Sequence, residues 1–330
     1  MTSGGIQRIG ILGAGAWGTA LAVTAQRAGR EVTLWVRRSV QAATLFARRE
    51  NLLHLPGVML DPAIRITNVM EAALDADAIL VALPAQHLRE HLAGLAGRGA
   101  PAVLCAKGIE KTSLKSMPEV MAEIAPGLPV AVLSGPTFAP EVAAGLPTAV
   151  VIAARDLGLA ESLAAALATP SFRPYASDDP IGAALGGAVK NVLAIGCGIV
   201  LGRALGENAR AALLTRGLAE LARLVDASGG KRETAMGLSG AGDLILTATS
   251  SKSRNTSLGI ALGQGRPLAE ILAERTSIAE GVESAPAVVA LARRRDVDMP
   301  ISEAVATILQ GGDIDFELRR LLARPLKREG

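Results

Sequence analysis

The run Gly13-Ala14-Gly15-Ala16-Trp17-Gly18 sets three glycines at the spacing G-x-G-x-x-G. In a dinucleotide site the three act differently. Gly13 permits a tight turn, Gly15 lets a pyrophosphate approach the backbone, and Gly18 lets a helix pack closely on a strand. The pattern has force only between a strand and a helix, and the apolar run before it and the Ala-rich stretch after it meet that condition. The next strand-like segment, VTLWVRR, ends in Arg37 and Arg38, where an Asp or Glu would accept bonds from the ribose of NAD. Arginine there suits a 2′-phosphate, so NADP(H) is the expected cofactor. NAD(H) stays open, because a guanidinium also stacks on adenine.

Three more polar loops follow apolar runs: LPAQHLRE from Leu83, CAKGIE from Cys105 and SGPTFAPEVAAG from Ser134. Lys107, beside Gly108 at a strand end, suits a substrate phosphate or carbonyl, although a surface lysine is an equal alternative on this residue alone. Farther on, Lys190-Asn191 interrupts GALGGAVKNVLAIGCGI, which is otherwise small and apolar. A lysine is costly to bury without partners or a chemical role, and burial moves an amine toward proton transfer near neutral pH. Lys190 is therefore the candidate proton donor, against the alternative of a lysine whose stem lies on an apolar seam. In GLSGAGDLILTATSSKSRN, Asp243 follows a glycine-rich turn, and Ser253, Arg254 and Asn255 open a helix. Hydroxyl, guanidinium, amide and helix N-terminal N–H groups together suit a phosphate, while N-capping is the competing role for Ser253. His87 to His91 fits H-x-x-E-H, but the position argues for a surface helix of the nucleotide domain rather than zinc. No metal is expected.

Stepwise alternation of strand and helix must position these loops. The expected strands are Arg8–Leu12, Glu31–Val36, Ala63–Thr67, Ala78–Ala82, Ala102–Cys105, Val130–Leu133 and Thr148–Ala153, separated by helical stretches such as Ala16–Ala28 and Ser39–Glu50. That order argues for an α/β, mostly parallel, doubly wound sheet with ligands at the strands' carboxyl ends. Ser171–Pro180, with two prolines and two aspartates, reads as a linker. Beyond it only helical runs occur: Ala183–Leu201, Asn208–Val225, Leu258–Leu262, Ala285–Arg294 and Ile301–Leu309. Two domains are expected, a nucleotide-binding domain at 1–179 and an all-α substrate-binding and catalytic domain at 180–330.

With 330 residues, 50% of them hydrophobic, the chain has the apolar material for such cores. A net charge of +3 and only seven aromatic residues exclude a concentrated basic face and stacking platforms, so no nucleic-acid partner is expected. Cys105 and Cys197 lie far apart, which reads as free thiols in a reducing compartment. No secretory apolar core follows the N-terminus, and charges or prolines cut every apolar stretch short of the roughly 18 residues needed to span a bilayer. The expectation is a cytoplasmic protein without membrane insertion, and the small-residue-rich helical half is a plausible homodimer contact.

The blocks GAGAWGTALA, NLLHLPG, LPAQHLRE, KGIE, SGPTFAPEVA, GGAVKNVLAIG, GLSGAGDL, SRN and AEGV, in this order, resemble the bacterial NAD(P)-dependent glycerol-3-phosphate dehydrogenases over nearly the whole chain. The resemblance implies a Rossmann domain followed by a 6-phosphogluconate-dehydrogenase-like helical domain. It also implies reversible hydride transfer between NAD(P)H and dihydroxyacetone phosphate, giving sn-glycerol 3-phosphate for phospholipid synthesis. Lys190 matches the family's catalytic lysine, and Lys107, Gly135, Thr137, Asp243, Ser253, Arg254 and Asn255 match substrate positions. Gly13, Gly15, Ala16, Trp17, Gly18, Arg37, Arg38, His54, Lys107, Ala139, Arg254, Ile278 and Glu280 match cofactor positions. Ala16 and Thr137 stand where many members have Ser; the first loses a hydroxyl and the second keeps one. The alternatives are a reductase of another small acid on a similar scaffold, and a non-catalytic NADP(H) sensor, which would need neither Lys190 nor the second polar cluster.

Overall fold

A computed structural model describes residues 5–275 and 279–325 of the chain, so Ile278 lies outside the described residues. Contacts divide the chain into two units, Met1–Glu110 with Lys115–Ala184, and Lys111–Leu114 with Leu185–Gly330. Among its described residues the first unit holds ten strands: β1 Arg8–Leu12, β2 Glu31–Trp35, β3 Glu50–Asn51, β4 Leu55–Met59, β5 Arg65–Thr67, β6 Ala78–Val81, β7 Ala102–Leu104, β8 Val130–Ser134, β9 Thr148–Ala154 and β10 Phe172–Ser177. Eight of them form one sheet in the order β10-β9-β8-β7-β6-β1-β2-β5, parallel throughout except between β8 and β9. Because both faces are covered, the strands read as continuous apolar runs; all four residues of β6 are buried. Alternate residues supply different cores. Ile9, Ile11 and Leu80 join one cluster with Leu21 and Leu34, whereas Leu12, Ile79 and Val81 join another with Leu88 and Met121. The strand order reverses between β1 and β6, and a crevice for a ligand opens at such a reversal.

One expectation fails here, and one element was not expected. Ser171–Pro180 is not a linker: Phe172, 2% exposed, anchors β10 in register with Thr148. An edge strand tolerates Pro174, since the ladder on its far side is unpaired. Asp179 then caps the helix Pro180–Gly202, its carboxylate accepting the Gly182 N–H at 2.8 Å. The antiparallel ribbon β3–β4 was not anticipated, being short and interrupted by Pro56 and Gly57.

The described part of the second unit is helical. Its longest helices are Pro180–Gly202 from Leu185 onward, Glu207–Ala227 and Glu280–Arg294. Contrary to the expectation that charges or prolines cut every apolar stretch short, Pro180–Gly202 is by length and composition apolar enough to cross a membrane, but 94% of its most apolar stretch is buried, as in a core helix. Its glycines set what packs on it. A side chain on Gly198 would meet the Thr256 carbonyl oxygen at 2.2 Å, and one on Gly259 would meet that of Ile195 at 2.1 Å, so the helix Arg254–Gly263 approaches backbone to backbone. One turn before Lys190, Gly186 leaves room for the Ser239 carbonyl, 2.5 Å from where a Cβ would stand. Ser239 belongs to a π-helical turn, Leu238–Gly242, that opens the helix Asp243–Thr249 in place of the expected loop-like turn.

Candidate functional site

In the first unit, β1 delivers the glycine-rich loop. Gly13 takes φ +109°, and a Cβ there would stand 2.7 Å from the Ala82 carbonyl oxygen; at Gly18 it would stand 1.8 Å from that of Gly13. Larger residues at both positions would break the strand–loop–helix junction. Gly15 caps the helix Ala16–Arg27 and differs from these two: a Cβ there would meet nothing within 4 Å. The loop therefore presents open space at a helix N-terminus where backbone N–H groups gather, which fits a pyrophosphate. Ala16 and Trp17 are half-buried in the first turn of that helix. Arg37 and Arg38, just past β2, are exposed, and their side chains make no hydrogen bond or ion pair among the described residues. His54 lies exposed in the turn between β3 and β4, with desolvation holding its imidazole below the ordinary value.

At the ends of β7 and β8, Lys107, Gly135 and Thr137 come together. The Gly135 carbonyl accepts from Lys107 Nζ at 3.2 Å and from Thr137 Oγ1 at 3.3 Å. Gly135 takes φ +143°, and a Cβ would lie 3.0 Å from the Val150 Cα, so glycine is required for this close approach. Ala139 opens the short helix Ala139–Ala143 that follows. Burial pushes the Cys105 thiol up to about 12, against the opposing charge of Lys107; Cys197 is likewise buried and pushed up to about 12. Both thiols are inert near neutral pH.

In the second unit, Lys190 is 7% exposed and Asp243 is fully buried. Lys190 Nζ donates to Asp243 Oδ1 at 2.9 Å and to Thr247 Oγ1 at 2.8 Å, and Thr247 Oγ1 lies 3.3 Å from the same carboxylate oxygen. The ammonium thus has a counter-charge and fixed geometry, which offsets the cost of burial. The Ser253 hydroxyl accepts the Thr256 N–H at 3.2 Å, so it does cap the helix Arg254–Gly263, while its own proton remains a donor. Arg254 is exposed beside it. Asn255 donates to Asn191 Oδ1 at 2.8 Å and accepts the Gly281 N–H at 3.0 Å; Asn191 in turn donates to Glu280 Oε2 at 3.3 Å. Lys190, Asp243, Asn255 and Glu280 are therefore joined through neighbours on one helix, and of the expected site residues only Ile278 lies outside the described residues.

Thr247 and Arg275 escaped sequence reading. Thr247 sits four residues after Asp243, hence on the same helical face, a signal available once Asp243 was singled out. The Arg275 guanidinium donates to the Arg254 carbonyl at 2.7 Å, and desolvation, then Arg254 and Arg266, hold it below its ordinary value. No comparable cue marks it in the sequence. His87 and His91 have ring centroids 6.2 Å apart, and no group of three or more His, Cys, Asp or Glu able to hold a metal ion occurs among the described residues.

Two family descriptions match the chain: "NAD-dependent glycerol-3-phosphate dehydrogenase N-terminus" over residues 8–160 and "NAD-dependent glycerol-3-phosphate dehydrogenase C-terminus" over residues 179–315. A curated relative, glycerol-3-phosphate dehydrogenase [NAD(P)+] of Rhodospirillum rubrum, is 56% identical, with 98% of this chain and 95% of the relative covered. The enzyme of the same name from Caulobacter vibrioides is 54% identical over 98% and 99% of the two chains. Among solved structures, glycerol-3-phosphate dehydrogenase from Coxiella burnetii is similar at a TM-score of 0.91 and 38% identity, covering 97% of this chain and 99% of that one.

Proposed function

The chain belongs to the NAD-dependent glycerol-3-phosphate dehydrogenases, and from that premise we propose that it reduces dihydroxyacetone phosphate reversibly to sn-glycerol 3-phosphate, with Lys190 as the proton donor. The observation that carries the role of Lys190 is its buried ammonium, held at 2.9 Å by Asp243 and 2.8 Å by Thr247 in a helix that is apolar apart from it and Asn191. When bound, the nicotinamide would supply the hydride that adds to the C2 carbonyl. As negative charge develops on the carbonyl oxygen, a positioned ammonium stabilises it and gives up a proton; in the oxidative direction the neutral amine takes one back. Asp243 and Thr247 fix where Lys190 Nζ points. Lys107, Gly135 and Thr137 are assigned to the substrate, as are Ser253, Arg254 and Asn255 at a helix N-terminus suited to its phosphate. Binding energy at that remote phosphate is then used to orient the carbonyl.

The glycine-rich loop, Arg37, Arg38 and His54 are assigned to the cofactor, with Ala139, Arg254, Ile278 and Glu280. Two unpaired arginines past β2 favour acceptance of NADPH beside NADH. The product feeds glycerophospholipid synthesis. A cytoplasmic protein, neither inserted in membranes nor bound to nucleic acid, accords with the inert thiols and the buried apolar helix; a homodimer through the helical unit remains part of the reading. Purified protein mixed with dihydroxyacetone phosphate is expected to consume NADH and NADPH, followed by loss of nicotinamide absorbance. Consumption of neither would overturn the assignment.

A further inference from the structure

Asn51, at the end of β3 and the first residue of the block NLLHLPG, is buried at 4% exposure, and no role has been assigned to it. Its amide is fully engaged. Nδ2 donates to the Ala14 carbonyl at 3.0 Å and to Thr19 Oγ1 at 2.7 Å, while Oδ1 accepts the His54 N–H at 3.3 Å. One side chain thereby joins the glycine-rich loop, the first helix and the ribbon turn. A carboxamide supplies two donors and an acceptor in one plane, which neither an isosteric carboxylate nor an apolar group can do.

The bond to Ala14 has a directional consequence. In a trans peptide the C=O of one residue and the N–H of the next point oppositely. Holding the Ala14 carbonyl toward Asn51 turns the Gly15 N–H the other way. That N–H makes no hydrogen bond among the described residues, and a Cβ on Gly15 would find nothing within 4 Å. It is an oriented, unspent donor at a helix N-terminus beside open space, which is what a pyrophosphate oxygen requires.

We propose that Asn51 is a positioning residue for the dinucleotide: it fixes the Ala14–Gly15 peptide with its N–H presented to the pyrophosphate and ties the His54 turn to the same loop. This rests on the cofactor reading of the first unit. It adds a determinant of cofactor affinity that lies outside the G-x-G-x-x-G pattern.

The test measures NADH and NADPH dissociation constants by fluorescence titration, with steady-state kinetics, for wild type, N51D, N51S and T19V. N51D keeps the shape and the acceptor for His54 but sets a carboxylate against the Ala14 carbonyl; N51S loses the reach without adding charge. Both are expected to raise Kd and KM for either cofactor about tenfold or more, the loss of one well-placed hydrogen bond. Their kcat at saturation and KM for dihydroxyacetone phosphate stay within about twofold, because the bond acts on cofactor binding alone. T19V removes the other partner yet spares the Ala14 bond, so it leaves cofactor Kd within about twofold by the same reasoning. If folded N51D and N51S bind cofactor as wild type does, or T19V weakens binding as much as they do, the inference is overturned while the cofactor reading stands. Failure of wild type to bind either dinucleotide overturns both.

Discussion

Replacing Lys190 by Met separates what the buried pair does for folding from what it does for turnover. Methionine keeps much of the stem volume and removes the hydrogen bonds at 2.9 Å to Asp243 and 2.8 Å to Thr247. Asp243 is fully buried, so the substitution removes the counter-charge of a buried carboxylate; removing one partner of such a pair costs about 3–5 kcal/mol. Asp243→Leu should cost a similar amount by stranding the ammonium. The double variant leaves neither charge, and its stability is expected to return toward wild type, giving a coupling energy of at least about 3 kcal/mol in the double-mutant cycle. Both tryptophans, Trp17 and Trp35, lie in the first unit, so unfolding of the helical unit is better followed by far-ultraviolet circular dichroism in urea. Turnover should fail to return with stability: loss of a positioned general acid costs about 10²–10⁴-fold, in Lys190→Met and in the double variant alike. Additive losses in the cycle would refute the claim of a coupled buried pair. A double variant with restored turnover would refute the role given to the amine.

A pH dependence of stability is expected from Glu220, whose carboxylate accepts from the Ile301 and Ser302 N–H groups and the Ser302 hydroxyl at 2.6, 3.1 and 2.8 Å. Burial outweighs these bonds and pushes its carboxyl from 4.5 up to about 7. The folded state therefore retains a proton that the unfolded chain has released, and stability contributed by this group falls as pH rises from about 4.5 to 7, by about 3 kcal/mol. Urea unfolding across that range should show a shallower slope in Glu220→Gln; an unchanged slope would exclude Glu220 as the source. For the cofactor, the double variant Arg37→Ala/Arg38→Ala is expected to weaken NADPH by about 10–100-fold, the worth of one charge-assisted hydrogen bond, and NADH by much less. Equal losses for both dinucleotides would show that the arginines do not read the 2′-phosphate.

The sheet was legible because its strands are buried on both faces and so read as apolar runs separated by helical stretches. Where local chemistry and tertiary placement disagree, the reading failed. Pro174 marks a breaker in sequence, yet at the sheet's edge it costs no ladder bond, and buried Phe172 holds the strand in place. Pro56 and Gly57 concealed the ribbon in the same way. Residues with unusual types for their surroundings stood out, as Lys190 did in an apolar helix and Asp243 after glycines. Those whose importance lies in a partner distant along the chain did not. Asn51 is 37 residues from Ala14, and nothing near it in sequence shows that its amide will be buried against that carbonyl. Arg275 is equally unremarked until the fold brings it to the Arg254 carbonyl.

Single-turnover hydride transfer, with enzyme and NADH premixed and dihydroxyacetone phosphate added at saturation, tests the role of Lys190 most directly when Lys190→Ala is compared with wild type. The expected result is a rate lowered by about 10²–10⁴-fold with the NADH dissociation constant nearly unchanged. A variant that transfers hydride at the wild-type rate would contradict the account.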